Sequence, residues 1–305
     1  MTDYNLSNEQ TKELQCFSDY DFCLNDNNEI ISKYKKPIPN IDVYVTNICN
    51  LKCASCSAFC PLVDEGYGEF VPLEDIEQDF LSIVKFRDDV KTILLVGGEC
   101  TLHPQIADMM VLARKCFPNN EIGIVTNGTT YKELHKLSDT IVKNKITCFV
   151  SQYPLHNLNE IIDTYEHLIP KELIVWQKHA VDFGFYHKHL MTGKHNEVDK
   201  ILQCIKRTVL RLHGKRIYLC HYADEIKALI NHFGDRIKVN DEGTYIELDE
   251  NTKLEDLVRL KDEVIPELCY HCEDVLQEDT LTKLKYFDSF PWKRSEKTIE
   301  EFYKE

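Results

Sequence analysis

The sequence predicts an α/β fold in which helices pack around a parallel sheet. Two patterns indicate this fold. Short apolar runs of strand length alternate with segments whose apolar residues recur at helical spacing, and several of the apolar runs end in glycine or small polar residues. Such alternation is typical of βα units, whose sheet is either open or curled into a full or partial barrel. The predicted strands are residues 41–45, 92–96, 122–125, 146–150 and 173–176, and the predicted helices are residues 73–86, 104–116, 131–142 and 158–168.

Four of the predicted strands are followed directly by residues that could contact a ligand. The carboxyl ends of parallel strands meet at one edge of a sheet, and ligands bind at that edge in open sheets and in barrels. We therefore expect the four segments to converge on one mouth. They are Thr46-Asn47, Gly97-Gly98-Glu99, Thr126-Asn127-Gly128 and Ser151-Gln152.

The alternating pattern covers only part of the chain, which we divide into four segments. Residues 1–39 are polar and mixed, and they form an N-terminal extension. Residues 40–195 form the βα core. Residues 196–275 lose the alternation and are expected to form a small cysteine-rich domain, and residues 276–305 a charged helical tail.

The charge of the chain restricts its partners. The net charge of −15 disfavours a nucleic-acid binder, because such proteins need a basic surface to neutralise phosphates. The one basic run consists of Lys206, Arg207, Arg211, Lys215 and Arg216. We interpret this run as a solvated face, with a local patch for an anionic substrate or partner as the alternative.

The cysteine content points to metal binding or thiol chemistry. The chain has 13 cysteines, and it lacks a basic N-terminal segment followed by an apolar run, so we expect no signal peptide and a cytoplasmic location. In that reducing compartment cysteines bind metals or do chemistry rather than form disulfides. No apolar stretch approaches the length of about 18 residues that a membrane span requires.

Three cysteines follow the first predicted strand with the spacing Cys-x3-Cys-x2-Cys. Cys49, Cys53 and Cys56 are close enough on one loop to hold three corners of an iron–sulfur cube, which leaves one iron open to a ligand. A zinc loop or clustered structural thiols are the alternatives, although structural zinc normally takes four protein ligands. Cys60 could close the open iron and is left unassigned.

This cysteine spacing, together with Gly97-Gly98-Glu99 downstream, resembles the signature of the radical S-adenosylmethionine (SAM) superfamily. The resemblance covers residues 41–190 and implies a partial (β/α) barrel with a catalytic [4Fe–4S] cluster on the three cysteines, whose open iron binds SAM. It further implies that SAM is cleaved to a 5′-deoxyadenosyl radical that abstracts a hydrogen atom from the substrate. An external electron donor such as flavodoxin or ferredoxin is implied as a partner.

The resemblance also assigns roles to the residues at the strand ends. The two glycines let a ligand approach the backbone, and the glutamate accepts a hydrogen bond from the ammonium group of SAM. The threonine and asparagine of the next strand end stand where related enzymes contact the ribose. The predicted cofactor-binding residues are Gly97, Gly98, Glu99, Thr126, Asn127 and Ser151.

A second group of four cysteines lies in the predicted C-terminal domain. Cys204 and Cys220 flank Gly214 with the spacing Cys-x9-Gly-x5-Cys, and Cys269 and Cys272 form Cys-x2-Cys. The arrangement resembles the twitch domain, a truncated form of the SPASM domain, with one extra residue after the glycine. It implies a second, fully ligated [4Fe–4S] cluster, and a structural zinc site is the alternative.

The reaction is open to three interpretations. In the first, the enzyme oxidises or epimerises a carbon of a sugar, cyclitol or nucleotide sugar, as a resemblance to aminocyclitol dehydrogenases implies. In the second, it modifies a peptide, and in the third the chain is a non-catalytic metal-binding protein. Cys100 and Cys148, on or just beyond strands, are candidate catalytic hydrogen-atom donors, with a role as core residues as the alternative.

Overall fold

The computed structural model describes residues 22–24, 30–32, 37–51, 56, 58, 60, 68–153, 155, 157–177, 198–202, 204–233 and 241–272. The predicted α/β fold is confirmed. The strands are β1 (Phe22–Leu24), β2 (Ile30–Ser32), β3 (Ile38–Thr46), β4 (Val90–Gly97), β5 (Glu121–Thr126), β6 (Ile146–Ser151), β7 (Ile174–Gln177), β8 (Val209–His213), β9 (Arg216–Tyr218) and β10 (Tyr245–Glu247). The helices are α1 (Leu73–Ile83), α2 (Ile106–Cys116), α3 (Ser138–Lys143), α4 (Leu158–Leu168), α5 (Val198–Leu202), α6 (His221–Phe233) and α7 (Leu254–Asp262).

Eight strands form one sheet in the order β10-β9-β8-β3-β4-β5-β6-β7. Strands β8 and β3 to β7 run parallel to their neighbours, whereas β9 and β10 continue the sheet antiparallel. Within the strands described here, β10 and β7 are the edges and do not pair with each other, so the sheet is open rather than a full barrel. Strands β1 and β2 form a separate antiparallel pair.

Alternate residues of each strand point to opposite faces of the sheet. One face carries Ile41, Leu95 and Ile124 and packs against α1 to α4 and α7, which forms the main hydrophobic core. The opposite face carries a smaller apolar cluster around Leu94 and Phe149. Because both faces are covered along most of its length, β3 is buried at eight of its nine residues, as expected for a central parallel strand.

The segment predicted as a separate C-terminal domain shares the sheet with the core. Strand β8 pairs in parallel with β3, with Asn40 opposite Val209 and Asp42 opposite Arg211. The predicted division near residue 195 is therefore not a break in the sheet. Sequence reasoning missed β8 because a basic residue interrupts its apolar run, and the predicted tail, residues 276–305, lies outside the described residues.

One predicted helix, residues 131–142, is two elements in the structure. A 3₁₀ helix, Tyr131–Lys136, precedes α3. The apolar residues Tyr131, Leu134 and Leu137 recur every third position, and side chains three apart eclipse in a 3₁₀ helix. In the part of the chain that is described, no helix is long and apolar enough to cross a membrane.

The turn between β8 and β9 is hydrogen-bonded to a buried carboxylate. Gly214 and Lys215 both have positive φ, +59° and +58°, as a two-residue type I′ hairpin turn requires. Their backbone N–H groups donate to Oδ2 and Oδ1 of Asp79 on α1, at 3.1 and 2.5 Å. Burial raises the pKa of Asp79, and these two hydrogen bonds oppose that rise.

We predict opposite effects on stability at the two residues of this turn. A Cβ at Gly214 meets no atom within 4 Å, so the change Gly214→Ala costs only the strain of a positive φ, about 1 kcal/mol after the gain in chain entropy. Lys215→Gly removes the same strain and should raise the free energy of unfolding by up to about 1 kcal/mol. Urea unfolding measures the change in the free energy of unfolding for both variants. Changes of the same sign would contradict the strain assigned to the positive φ of these two residues.

Candidate metal and cofactor site

The first cysteine group begins three residues after β3 ends. Cys49 and Cys56 are half-buried and Cys60 is buried, whereas Cys53 lies outside the described residues. The thiol of Cys60 forms hydrogen bonds with the thiols of Cys49 and Cys56, which together with burial raise its pKa. Three of the clustered thiols are therefore brought together at the carboxyl end of β3. Among the described side chains, no three are arranged to hold a single metal ion.

The two glycines after β4 allow the chain to pass very close to the start of the cysteine loop. A Cβ at Gly97 would lie 2.0 Å from the carbonyl oxygen of Thr46, and one at Gly98 would lie 2.3 Å from that of Ile48. The backbone N–H groups of Gly98 and Glu99 donate to the same two oxygens, at 2.7 and 2.8 Å. The glycines thus accommodate the protein's own backbone, a role that sequence reasoning did not assign to them.

The carboxylate of Glu99 is fully buried and is held by the protein. Its Oε1 accepts hydrogen bonds from Thr101 N and Oγ1, at 3.1 and 2.5 Å, and from Thr126 Oγ1 at 2.7 Å. Its Oε2 accepts one from Asn127 N at 2.6 Å. Burial raises the pKa of Glu99, and these donors oppose the rise. Its contact with the ammonium of SAM stays a prediction.

Asn127 joins the end of β5 to the cysteine loop. Its Nδ2 lies 3.7 Å from Cys49 Sγ and donates to Asn50 Oδ1 at 3.1 Å. Its Oδ1 accepts from Thr129 N and Oγ1 at 2.9 and 2.5 Å. Asn50 Nδ2 in turn donates to Thr129 Oγ1 at 2.7 Å. The predicted convergence is therefore observed for the residues at the ends of β3, β4 and β5, which form hydrogen bonds with one another.

The fourth predicted segment of the mouth is bonded elsewhere. The hydroxyl of Ser151 donates to Gln177 Oε1 at 2.8 Å, across to the edge strand β7. The ribose contact predicted for Thr126 and Asn127, like a cofactor role of Ser151, stays a prediction. The hydroxyl of Thr126 donates to Glu99 and accepts from Gly128 N at 3.0 Å.

The structure places Cys100 and Cys148 in the core, the alternative given for them above, and a role as hydrogen-atom donors stays a prediction. Both thiols are fully buried in the main core on the helix-covered face, and Cys100 Sγ donates to Val125 O at 3.0 Å. Burial raises the pKa of Cys148 to about 12. Cys148 is a core residue because it shares one face of β6 with Ile146 and Val150, and that face packs against the helices.

The second cysteine group surrounds a small core of its own. Its members pack against Tyr218, Tyr222 and Leu268. Burial raises the pKa of Cys220 to about 12, and the neighbouring Cys269 and Cys204 thiols add to this rise. The four thiols gathered at this core are Cys204, Cys220, Cys269 and Cys272.

Arg207 holds one thiol of this group, and sequence reasoning missed it. Its guanidinium is buried and donates from Nε to Lys261 O and from Nη2 to Val264 O, both at 2.8 Å. The same guanidinium hydrogen-bonds the thiol of Cys269, whose pKa burial raises to about 11 against the effect of the arginine. The interpretation of the basic run as a solvated face is wrong here, because Arg207 is buried and two backbone carbonyls accept hydrogen bonds from its guanidinium.

Arg211 is a second buried member of the basic run. Its Nη2 lies 2.6 Å from Glu225 Oε1 and its Nε 3.4 Å from Asp224 Oδ2, and Asp224 Oδ1 lies 2.9 Å from His213 Nδ1. Burial raises the pKa of Glu225 to about 8; Arg211 opposes the rise, and the charge of Asp224 and then that of Cys56 add to it. An ionic network therefore lies near the first cysteine group, on the face opposite the main core. The arginine within the apolar run of β8 is the feature of the sequence that could have indicated this network.

Comparison with protein families matches residues 43–208, more than half of the chain, to the Radical SAM superfamily. Among curated relatives, the GTP 3',8-cyclase of Peptoclostridium acidaminophilum is 26% identical over 104 residues, 34% of this chain and 31% of the relative. The probable GTP 3',8-cyclase of Pyrococcus horikoshii is 30% identical over 102 residues, 33% of this chain and 30% of the relative. The matched region spans about a third of the length of these relatives.

Two solved structures are similar at 14% identity. BtrN in complex with AdoMet and 2-DOIA has a TM-score of 0.49, with 77% of this chain and 92% of that chain covered. Native anSMEcpe with bound AdoMet has a TM-score of 0.48, with 82% of this chain and 96% of that chain covered.

We predict that Gly98→Ala disrupts the contact between β4 and the cysteine loop. The new Cβ would meet backbone atoms of Asn47 and Ile48 within 3 Å, so the strand end has to move, which should cost about 3 kcal/mol or more. Gly243→Ala is the matched control, because its nearest atom is 3.8 Å away and only its φ of +72° is strained. Urea unfolding compares the two, and an equal loss would contradict the prediction.

Proposed function

We propose, since this chain belongs to the radical SAM superfamily, that Cys49, Cys53 and Cys56 hold a [4Fe–4S] cluster with one iron open to SAM. The observation that carries the proposal is the set of hydrogen bonds that joins Cys49 to Asn127 and Asn127 to Glu99. These residues come from three strand ends and meet at the carboxyl edge of the sheet, where ligands of parallel sheets bind.

The residues present suit such a cluster. Cys49 Sγ accepts a hydrogen bond from Leu51 N at 3.4 Å and faces Asn127 Nδ2, and donors of this kind stabilise the charge on a cluster-bound thiolate. When bound, the cluster and SAM supply a 5′-deoxyadenosyl radical that abstracts a hydrogen atom from the substrate. The chain positions both cofactors, and an external donor such as flavodoxin or ferredoxin delivers the electron.

For the substrate we propose a small polar molecule that is oxidised or epimerised at a hydroxyl-bearing carbon. The support is the ionic network of Arg211, Asp224, Glu225 and His213, which lies near Cys56 on the sheet face opposite the main core. Cyclisation of a nucleotide is the second candidate, because the matched relatives are GTP 3',8-cyclases. Modification of a peptide is the alternative that a substrate panel has to test.

The change of Cys49, Cys53 and Cys56 together to alanine should abolish the production of 5′-deoxyadenosine. Anaerobically reconstituted protein is incubated with a reductant, SAM and a panel of sugars, cyclitols, GTP and peptides, and 5′-deoxyadenosine is followed by mass spectrometry. Cys116→Ala, at the end of α2, is the matched control and should retain the wild-type rate. Undiminished production by the triple variant would refute the proposed site.

Cys60→Ala separates the two possible ligand sets in the same assay. If Cys53 is the third ligand, the Cys60→Ala variant keeps the open cluster and cleaves SAM. If this single change removes the cluster instead, Cys60 is a ligand, and the proposal that Cys53 is the third ligand is contradicted. The test is needed because Cys60 contacts the thiols of both Cys49 and Cys56.

We further propose that the second cysteine group holds another [4Fe–4S] cluster, with a zinc site as the alternative. The buried guanidinium of Arg207 supports it, since a positive charge beside Cys269 favours a thiolate and an anionic cluster. The group would tie the segment around β8 and β9 to the segment after α7, so that binding of the metal contributes to folding.

Iron analysis tests this second cluster. The reconstituted protein should contain about eight irons per chain, and the variant without Cys49, Cys53 and Cys56 about four, with a cubane-type spectrum. One zinc and no iron in that variant would contradict the second cluster. Oxidation would then lose its internal electron acceptor, and a redox-neutral reaction such as epimerisation would be favoured.

A further inference from the structure

The sulfur of Cys49 has two nitrogen donors around it. Leu51 N lies 3.4 Å from Sγ, and Asn127 Nδ2 lies 3.7 Å from it. The first donor is a backbone N–H, which any residue except proline would supply at position 51. The second belongs to a side chain from the end of a different strand, so its presence depends on the residue at position 127.

The orientation of the Asn127 carboxamide is determined by its partners. Oδ1 accepts from the backbone N–H of Thr129 at 2.9 Å, and a backbone N–H can only donate. A flipped amide would direct two donors at each other, so Nδ2 must face the opposite way. On that side lie Cys49 Sγ and the acceptor Asn50 Oδ1.

The position of Asn127 is fixed as well. Its backbone N–H donates to Glu99 Oε2 at 2.6 Å, and Glu99 is fully buried. The other oxygen of this carboxylate is held by Thr101 and Thr126. A side chain with so little freedom loses little entropy when it forms one more hydrogen bond.

We propose that Asn127 is a positioning residue that donates an N–H···S hydrogen bond to cluster-bound Cys49 and raises the reduction potential of the SAM-binding cluster, with Glu99 holding it in place. The inference rests on the proposed function, because it requires the cluster on Cys49. Reduction adds negative charge to the cluster and its thiolates. A hydrogen bond to such a sulfur therefore stabilises the reduced state more than the oxidised state.

The test is a potentiometric titration of the reconstituted full chain without SAM, followed by electron paramagnetic resonance. The signal of interest is the one that the variant without Cys49, Cys53 and Cys56 lacks. In Asn127→Ala we expect the ratio of reduced to oxidised cluster at a fixed potential to fall roughly tenfold, which is about 59 mV for a one-electron couple. Asn127→Asp keeps the acceptor for Thr129 but replaces the donor by a negative charge, and it should lower the potential further.

Asn144→Ala is the matched control. Its amide also donates one hydrogen bond, to Thr140 O at 2.8 Å, but it precedes β6 at the opposite edge of the sheet, so the potential should not change. Because the titration is done without SAM, a contact of Asn127 with the ribose of SAM cannot affect the measured potential. Thr129→Val, which removes one of the two bonds that orient the amide, should give a smaller shift of the same sign.

Three results would separate failure of the inference from failure of the proposed function. An unchanged potential in Asn127→Ala with a full complement of iron overturns the inference alone. Loss of iron from both Asn127→Ala and Thr129→Val also overturns it, since Asn127 would then be required for assembly rather than for the potential. If every signal persists in the variant without the three cysteines, the cluster is not on Cys49 and the proposed function fails.

Discussion

The absence of side chains at Gly97 and Gly98 is the constraint on which the site depends. Only without a Cβ can the end of β4 approach the carbonyls of Thr46 and Ile48 closely enough for two backbone hydrogen bonds. Those bonds extend the pairing of β3 and β4 beyond the sheet, and they turn Glu99 inward. From there its carboxylate reaches the backbone of Asn127, and the amide of Asn127 reaches Cys49. A steric condition on two residues thus determines the surroundings of a thiol that precedes them by almost fifty positions in the chain.

The second cysteine group depends on a different kind of contact. Two buried arginines lie at this group: Arg207 donates to two backbone carbonyls and to Cys269, and Arg211 on β8 pairs with Asp224 and Glu225 on α6. Buried ion pairs contribute little net stability, but the loss of one partner leaves an uncompensated charge and is strongly unfavourable. The network therefore specifies how α6 lies against β8, and with it the position of Cys220, the residue just before α6.

Most of the fold follows from patterns that are local in the sequence. The strands of the core, the glycine pair and the first cysteine group could be predicted because each is read within a few residues. Strand β8 could not, since it pairs with β3 across most of the chain. The burial of Arg207 could not either, since the carbonyls that accept its hydrogen bonds lie 54 and 57 residues away, and the burial of Arg211 depends on carboxylates of the later helix α6. The face of Cys148 could have been predicted, because strand alternation places it with Ile146 and Val150 rather than with Phe149. The direction of the Glu99 carboxylate could not, because it depends on a backbone approach that only the tertiary structure shows.

The pairing of β8 with β3 also has a consequence for how the molecule assembles. Strands β3 to β7 pair in the order in which they are synthesised, whereas β8 joins Asn40 to Val209 across most of the chain. Contacts of large sequence separation form slowly, because a long loop must be closed before they are made. The topology therefore favours pairing of β3 to β7, whose ends flank the first cysteine group, before β8 brings the segment of the second group to the sheet.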